Sequence, residues 1–133
     1  QGFSVRRRKN NETRNKDWKD DMRGSKENVR SEANILNDCL IALSGVGCKV
    51  WRNNTGQLPD KNGRPIKFGL CVGSSDIIGM TPSGVFLAVE CKTAMGQPTE
   101  AQLRFLRAVI AQGGLAGIAR NSEEAVKIAL ATH

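Results

Sequence analysis

The apolar pattern of this 133-residue chain starts late. Residues 1–24 are polar, with Trp18 as their one large anchor, and they carry no apolar stripe that could serve a core. From Ser31 the pattern changes. Ile35, Leu36, Cys39, Leu40 and Leu43 fall at spacings of three and four. That periodicity predicts a helix capped by Ser31 and stopped by Gly45 and Gly47. Cys48 to Trp51 predicts a short strand, and Arg52-Asn53-Asn54-Thr55-Gly56 leads out of it. Residues 56–67 contain Pro59, Asn62-Gly63 and Pro65, which predict a polar loop.

The second half is more regular. Residues 68–80 predict strand material interrupted by Gly73-Ser74-Ser75, and residues 85–92 predict a strand on β-branched and aromatic content. Thr81-Pro82-Ser83-Gly84 is the turn between them. Pro98-Thr99-Glu100-Ala101-Gln102 opens a second helix with Leu103, Leu106 and Ile110 on one face, ended by Gly113-Gly114. Leu115 to Arg120 predicts a last strand, and Asn121 or Ser122 caps a closing helix to about Ala131. The expected order is α-β-β-β-α-β-α, without internal repeats. Trp51 and Phe68 are expected in the core rather than as stacking platforms.

Composition narrows the class. The length suits one domain. No uncharged stretch approaches ~18 apolar residues, so no membrane span is expected, and no basic segment leads into an apolar run, so a signal peptide is not expected either. The formal charge is +7, and most of the excess lies in residues 1–31. A basic arm of this kind commonly meets phosphate, although a solvated tail has the same composition. Gln1 is not an initiator residue, and Met22 offers an alternative start that would make the arm dispensable. Cys39, Cys48, Cys71 and Cys91 form no C-x-x-C pair, and the single histidine is His133. A structural zinc site and histidine-based triads are therefore excluded. Buried reduced thiols are expected, as in an intracellular protein.

Three residues carry candidate chemistry: Asp76, Glu90 and Lys92. Glu90 and Lys92 are two apart on a strand and share a face. If Pro82-Ser83-Gly84 is a three-residue hairpin loop with Gly84 left-handed, Thr81 pairs with Val85 and Asp76 falls opposite Glu90. A four-residue loop would shift that register. Two carboxylates so placed need a shared proton or a cation. A hard ion such as Mg²⁺ suits an all-oxygen site, with Lys92 beside it for a phosphate oxygen. An ordinary cross-strand charge pair is the plainer reading.

Gly73-Ser74-Ser75-Asp76-Ile77-Ile78-Gly79, then Val89-Glu90-Cys91-Lys92-Thr93, then Gln102 on the next helix, resembles the PD-(D/E)XK nucleases. Trp51-Arg52-Asn53-Asn54-Thr55-Gly56 and Gly113-Gly114 look like the VRR-NUC branch of that superfamily. The resemblance covers about residues 29–132, leaving 1–28 as a basic arm and 29–133 as the domain. Ser75 stands where a proline is frequent.

The resemblance implies a restriction-endonuclease-like αβββαβ core, with a mixed sheet flanked by helices. It implies Asp76 and Glu90 as metal ligands, the Cys91 carbonyl as a further ligand, and Glu32 joining through water. Lys92 would be the catalytic lysine, and Gln102 would contact Lys92 or the scissile phosphate. Glu32 in a first turn and Gln102 three residues after Thr99 also have plain readings, as a dipole partner and a capping box. Arg52, Asn53, Asn54, Lys67, Ser74, Ser75 and the arm residues Arg6, Arg7 and Arg8 are candidate DNA contacts. Lys61 and Arg64 join Lys67 in a backbone-contacting flap or a solvated loop.

The expectation is a Mg²⁺- or Mn²⁺-dependent DNA endonuclease, cutting branched DNA such as a four-way junction as a homodimer. A phage origin, and so the host cytoplasm, fits such stand-alone domains; neither secretion, a membrane nor an organic cofactor is expected. The alternatives are a nicking or flap nuclease, or a non-catalytic nucleic-acid-binding module.

Overall fold

The computed structural model describes residues 30–131; the arm with Arg6, Arg7 and Arg8, and His133, lie outside the described residues. Helix α1 (Glu32–Gly45) forms where the periodicity places it. The Ser31 hydroxyl accepts from the Asn34 amide at 3.2 Å, satisfying one free donor of the first turn. Its buried residues are Ile35, Leu36, Cys39 and Leu43.

Strands β1 (Lys49–Arg52), β2 (Gly56–Pro59), β3 (Pro65–Phe68), β4 (Ile77–Met80) and β5 (Phe86–Cys91) follow. Then come helix α2 (Glu100–Ala111), strand β6 (Leu115–Ala119) and helix α3 (Ser122–Leu130). The main sheet has the order β1-β4-β5-β6. The β1/β4 and β4/β5 pairs are antiparallel, while β5/β6 is parallel, with α2 as the crossover a parallel pair requires. This is the expected mixed sheet flanked by helices.

β5 is the centre of the molecule. Leu87, Ala88, Val89, Glu90 and Cys91 are all buried, as expected of a strand covered on both faces. Leu87, Val89 and Cys91 join Ile77, Leu43, Cys39 and Ala125 in the core formed with α1 and α3. Ala88 and Glu90 alternate to the opposite face. Full burial of each large aliphatic side chain here contributes about 1.5–3 kcal/mol.

Three expectations need correction. Residues 56–67 are not one loop: β2 and β3 form a separate antiparallel hairpin pairing Gln57 with Lys67 and Leu58 with Ile66. Pro59 faces Pro65 at its closed end, a position where an isolated two-stranded ribbon tolerates prolines. Asp60 Oδ1 accepts from the Asn62 and Arg64 amides at 2.8 Å and closes the tip. Trp51 and Phe68 are not core residues, being 56% and 43% exposed, because their strands are covered on one side at most. Cys71 is exposed, whereas Cys39, Cys48 and Cys91 are buried free thiols as expected.

Candidate active site

The site is built on the β4–β5 hairpin. Gly84 takes φ +83°, the left-handed value that closes a three-residue loop. The Thr81 amide donates to the Val85 carbonyl at 2.9 Å. Ile77 then pairs with Val89, so the residue before β4, Asp76, stands beside Glu90. The ladder stops one residue short of Asp76. Its place is taken by a side-chain bond: the Cys91 amide donates to Asp76 Oδ2 at 2.9 Å.

The segment leading to Asp76 is held from both ends. Asn53 donates its side-chain amide to Ser74 Oγ and to the Ser75 carbonyl, each at 2.9 Å, while its backbone amide donates to the Asp76 carbonyl at 2.7 Å. Gly73, at φ +87°, lies on the first turn of α2; a Cβ there would meet the Ala101 carbonyl at 2.5 Å. Only glycine permits that approach, which brings the Asp76 segment against the residue before Gln102.

Glu90, Asp76 and Glu32 converge. One carboxylate oxygen of each lies within 4.8 Å of the other two. Glu90 is 1% exposed. Its Oε1 accepts from Gln102 Nε2 at 3.2 Å and lies 3.8 Å from Lys92 Nζ. Its Oε2 is buried without a hydrogen-bond partner. Burial, followed by the neighbouring Asp76 carboxylate, pushes the Glu90 carboxyl up to about 8, with Lys92 acting in the opposite direction.

An unpartnered buried oxygen among three carboxylates fits a hard divalent cation. Glu32, Asp76 and Glu90 supply oxygen donors only, a set that could hold a metal ion.

Gln102 forms the capping box its position suggested. Its Oε1 accepts from the Thr99 amide at 2.8 Å and its own amide donates to Thr99 Oγ1 at 3.2 Å, completing a capping box. Its remaining amide end meets Glu90, not Lys92. Asn53 and Ser74 are occupied with each other, so they shape the loop. Ser75 is 1% exposed and its hydroxyl is buried, so it offers no surface for a DNA contact, contrary to the expectation. Arg52, Asn54 and Lys67 are exposed along one connected stretch.

Arg120 was missed. At the end of β6 its Nη1 donates to the carbonyls of Thr93 and Gly96 and reaches that of Ala94. It thus anchors the turn between Lys92 and α2. Its only sequence signal is a lone arginine closing an apolar strand, which is too common to read.

A solved structure described as a VRR_NUC domain is similar to this chain, with a TM-score of 0.51 and 20% identity, over 73% of this chain and 91% of that one. No protein-family profile matches the chain. No curated protein matches it either. The likeness is one of fold: the chain has the fold of that VRR_NUC domain structure. No helix among the described residues is long and apolar enough to cross a membrane.

Proposed function

We propose that the protein is a divalent-metal-dependent DNA endonuclease, selective for branched DNA and acting as a homodimer. The observation that carries this reading is the convergence of Glu32, Asp76 and Glu90 beside Lys92 on the β4–β5 hairpin. Asp76 and Glu90 would hold the ion, with the Cys91 carbonyl and Glu32 completing its surroundings. A bound Mg²⁺ or Mn²⁺ would supply Lewis-acid stabilisation of the charge that develops on the phosphodiester.

The chain's own groups do the rest. Lys92 directs its ammonium at the phosphate and orients the attacking water. Gln102 holds Glu90 Oε1, so that the ion-facing oxygen stays in place. Arg52, Asn54 and Lys67 take the DNA backbone by charge and hydrogen bonding. Contacts of this kind reach the backbone rather than base edges, which favours selection by DNA shape. The buried thiols Cys39, Cys48 and Cys91 suit a reducing compartment, so we place the activity in the cytoplasm.

The test is cleavage of a labelled four-way junction and its matched linear duplex, in Mg²⁺, Mn²⁺ or EDTA. Wild type should cut the junction only with metal. Lys92→Ala should lower the rate about 10²–10³-fold, the usual worth of one preorganised charge, with the fold intact by circular dichroism. Salt-sensitive binding without cleavage in any metal would sink the nuclease reading and leave a binding module. Single nicks or flap removal in place of paired cuts would replace the junction substrate only.

A further inference from the structure

A cavity of about 450 Å³ lies between the β2–β3 hairpin and the segment that runs on to Asp76. Its lining includes Gly56, Lys67, Phe68, Leu70, Val72 and Gly73. Three features distinguish it. The first is composition: Lys67 is its one cation, and there is no carboxylate in the lining. The second is exposure: Phe68, Leu70 and Val72 are 43%, 49% and 72% exposed, so apolar surface and an aromatic ring are presented to solvent. The third is position. Gly73 ends the cavity wall three residues before Asp76 and lies against Ala101, beside Gln102.

Lys67 apart, the cleavage reading uses none of the residues that line this cavity. The hairpin that forms it is a two-stranded sheet of its own, and such ribbons are marginal without a partner surface. Phe68 pairs with Gly56, and a Cβ at Gly56 would meet the ring at 2.7 Å. The ring therefore lies across a position that must stay bare, and Phe68 as a whole remains well exposed.

An aromatic ring, an apolar wall and one lysine are the groups that receive an unpaired base with its phosphate. The volume exceeds what one base requires. Lys61 and Arg64 at the hairpin tip and Lys67 on β3 add positive charge that complements a DNA strand, while Asp60 is spent on the tip hydrogen bonds.

We infer that this cavity is a binding site for one unpaired nucleobase of single-stranded or branched DNA, with Phe68 as the stacking platform and Lys67 on the adjoining phosphate. The inference rests on the nuclease reading only in taking DNA as the ligand. The site would explain a preference for strands that are not fully paired. A closed duplex offers no free base to it.

The test measures binding in EDTA, so that cleavage plays no part. The probes are a labelled oligonucleotide duplex and the same duplex carrying a single-stranded branch. Phe68→Ala should weaken branched-DNA binding about tenfold and leave duplex binding within twofold, and Phe68→Trp should restore it. Lys67→Gln should reduce the salt slope by about one for the branched probe. A measurement on wild type guards against misfolded variants. Cys71 lines the cavity and is the exposed thiol among the described residues. Branched DNA should slow its alkylation by a maleimide severalfold more than duplex does. Equal losses on both probes with Phe68→Ala, equal protection of Cys71, or a change in molecular mass with Phe68→Ala and no change in DNA binding would overturn the site. The last result would assign the surface to a second copy of the chain. Failure of wild type to cleave any DNA leaves these readouts intact and counts against the nuclease reading alone.

Discussion

At the residue scale, Glu90 is the most constrained group in the molecule. It is buried, one of its oxygens has no partner, and Asp76 and Glu32 crowd it. Its carboxyl is raised from 4.5 to about 8, so between those values the metal-free folded protein holds a proton that the unfolded chain releases. Stability therefore falls as pH rises through that interval and levels off above about 8. We expect thermal unfolding in EDTA to show a falling Tm from pH 5 to 8. Glu90→Gln should flatten this profile and stabilise the metal-free protein at pH 8.5 by about 1–3 kcal/mol, because it keeps the Gln102 contact and removes the charge. A pH-independent wild-type Tm would show that Glu90 ionises normally.

The carboxylate residues at this site were readable in advance because their chemistry is local. Two acids and a lysine on facing strands announce themselves through spacing. Ser75 differs from the expectation because a serine beside Asp76 looks the same in sequence whether its hydroxyl points out or in. Asn53 was read as a DNA contact for a similar reason: its partners, Ser74 and Ser75, lie more than twenty positions away.

At the scale of elements, α2 shows how one residue serves two elements. Thr99 and Gln102 cap the helix reciprocally, and Gln102 also reaches Glu90 on β5. The two functions separate by mutation. Thr99→Ala should cost about 1 kcal/mol of stability, the usual worth of an N-cap, and change cleavage less than threefold. Gln102→Ala should cost a similar amount and also lower cleavage by tenfold or more, because Glu90 Oε1 loses its neutral partner. Urea unfolding and single-turnover cleavage of both variants check this; parallel losses of activity would make Gln102 a cap and nothing more.

The β2–β3 hairpin was misread for a reason that belongs to this scale. Two prolines and an Asn-Gly step are the usual marks of a loop. A ribbon outside the main sheet needs few ladder bonds, so it accommodates both, and the Asp60 side chain adds two bonds to the backbone ones that Asp60 makes with Gly63 and Arg64. Strand β4 was overextended for the opposite reason: the apolar run before Gly73 lines the cavity instead of joining the sheet.

At the scale of the whole molecule, the proposed junction cleavage requires cuts on two strands. The proposed homodimer meets that requirement with two sites. Light scattering at micromolar concentration should give twice the chain mass, and junction cleavage should release paired nicks within one binding event, detectable as linearisation of a cruciform plasmid. A monomer with full cleavage would retain the nuclease and remove the paired cut. Binding should weaken steeply with salt, since the excess charge of +7 would act through phosphate contacts.

Sequence alone determined the periodic elements and the register of the β4–β5 hairpin. Both depend on nearest neighbours: helical spacing, strand alternation, and a glycine at the one left-handed turn position. It also brought Asp76, Glu90 and Lys92 to one face, because the loop length sets the pairing. Tertiary structure alone decided what each side chain faces. It turned Glu32 toward two other carboxylates, placed Gln102 on Glu90, anchored the turn after Lys92 with Arg120, buried Ser75, and left Phe68 open beside a cavity. The physical reason is range. Local spacing is set by backbone geometry over a few residues, whereas burial and contact are set by how α1, α2 and the hairpin pack around β5, and that depends on the whole chain at once.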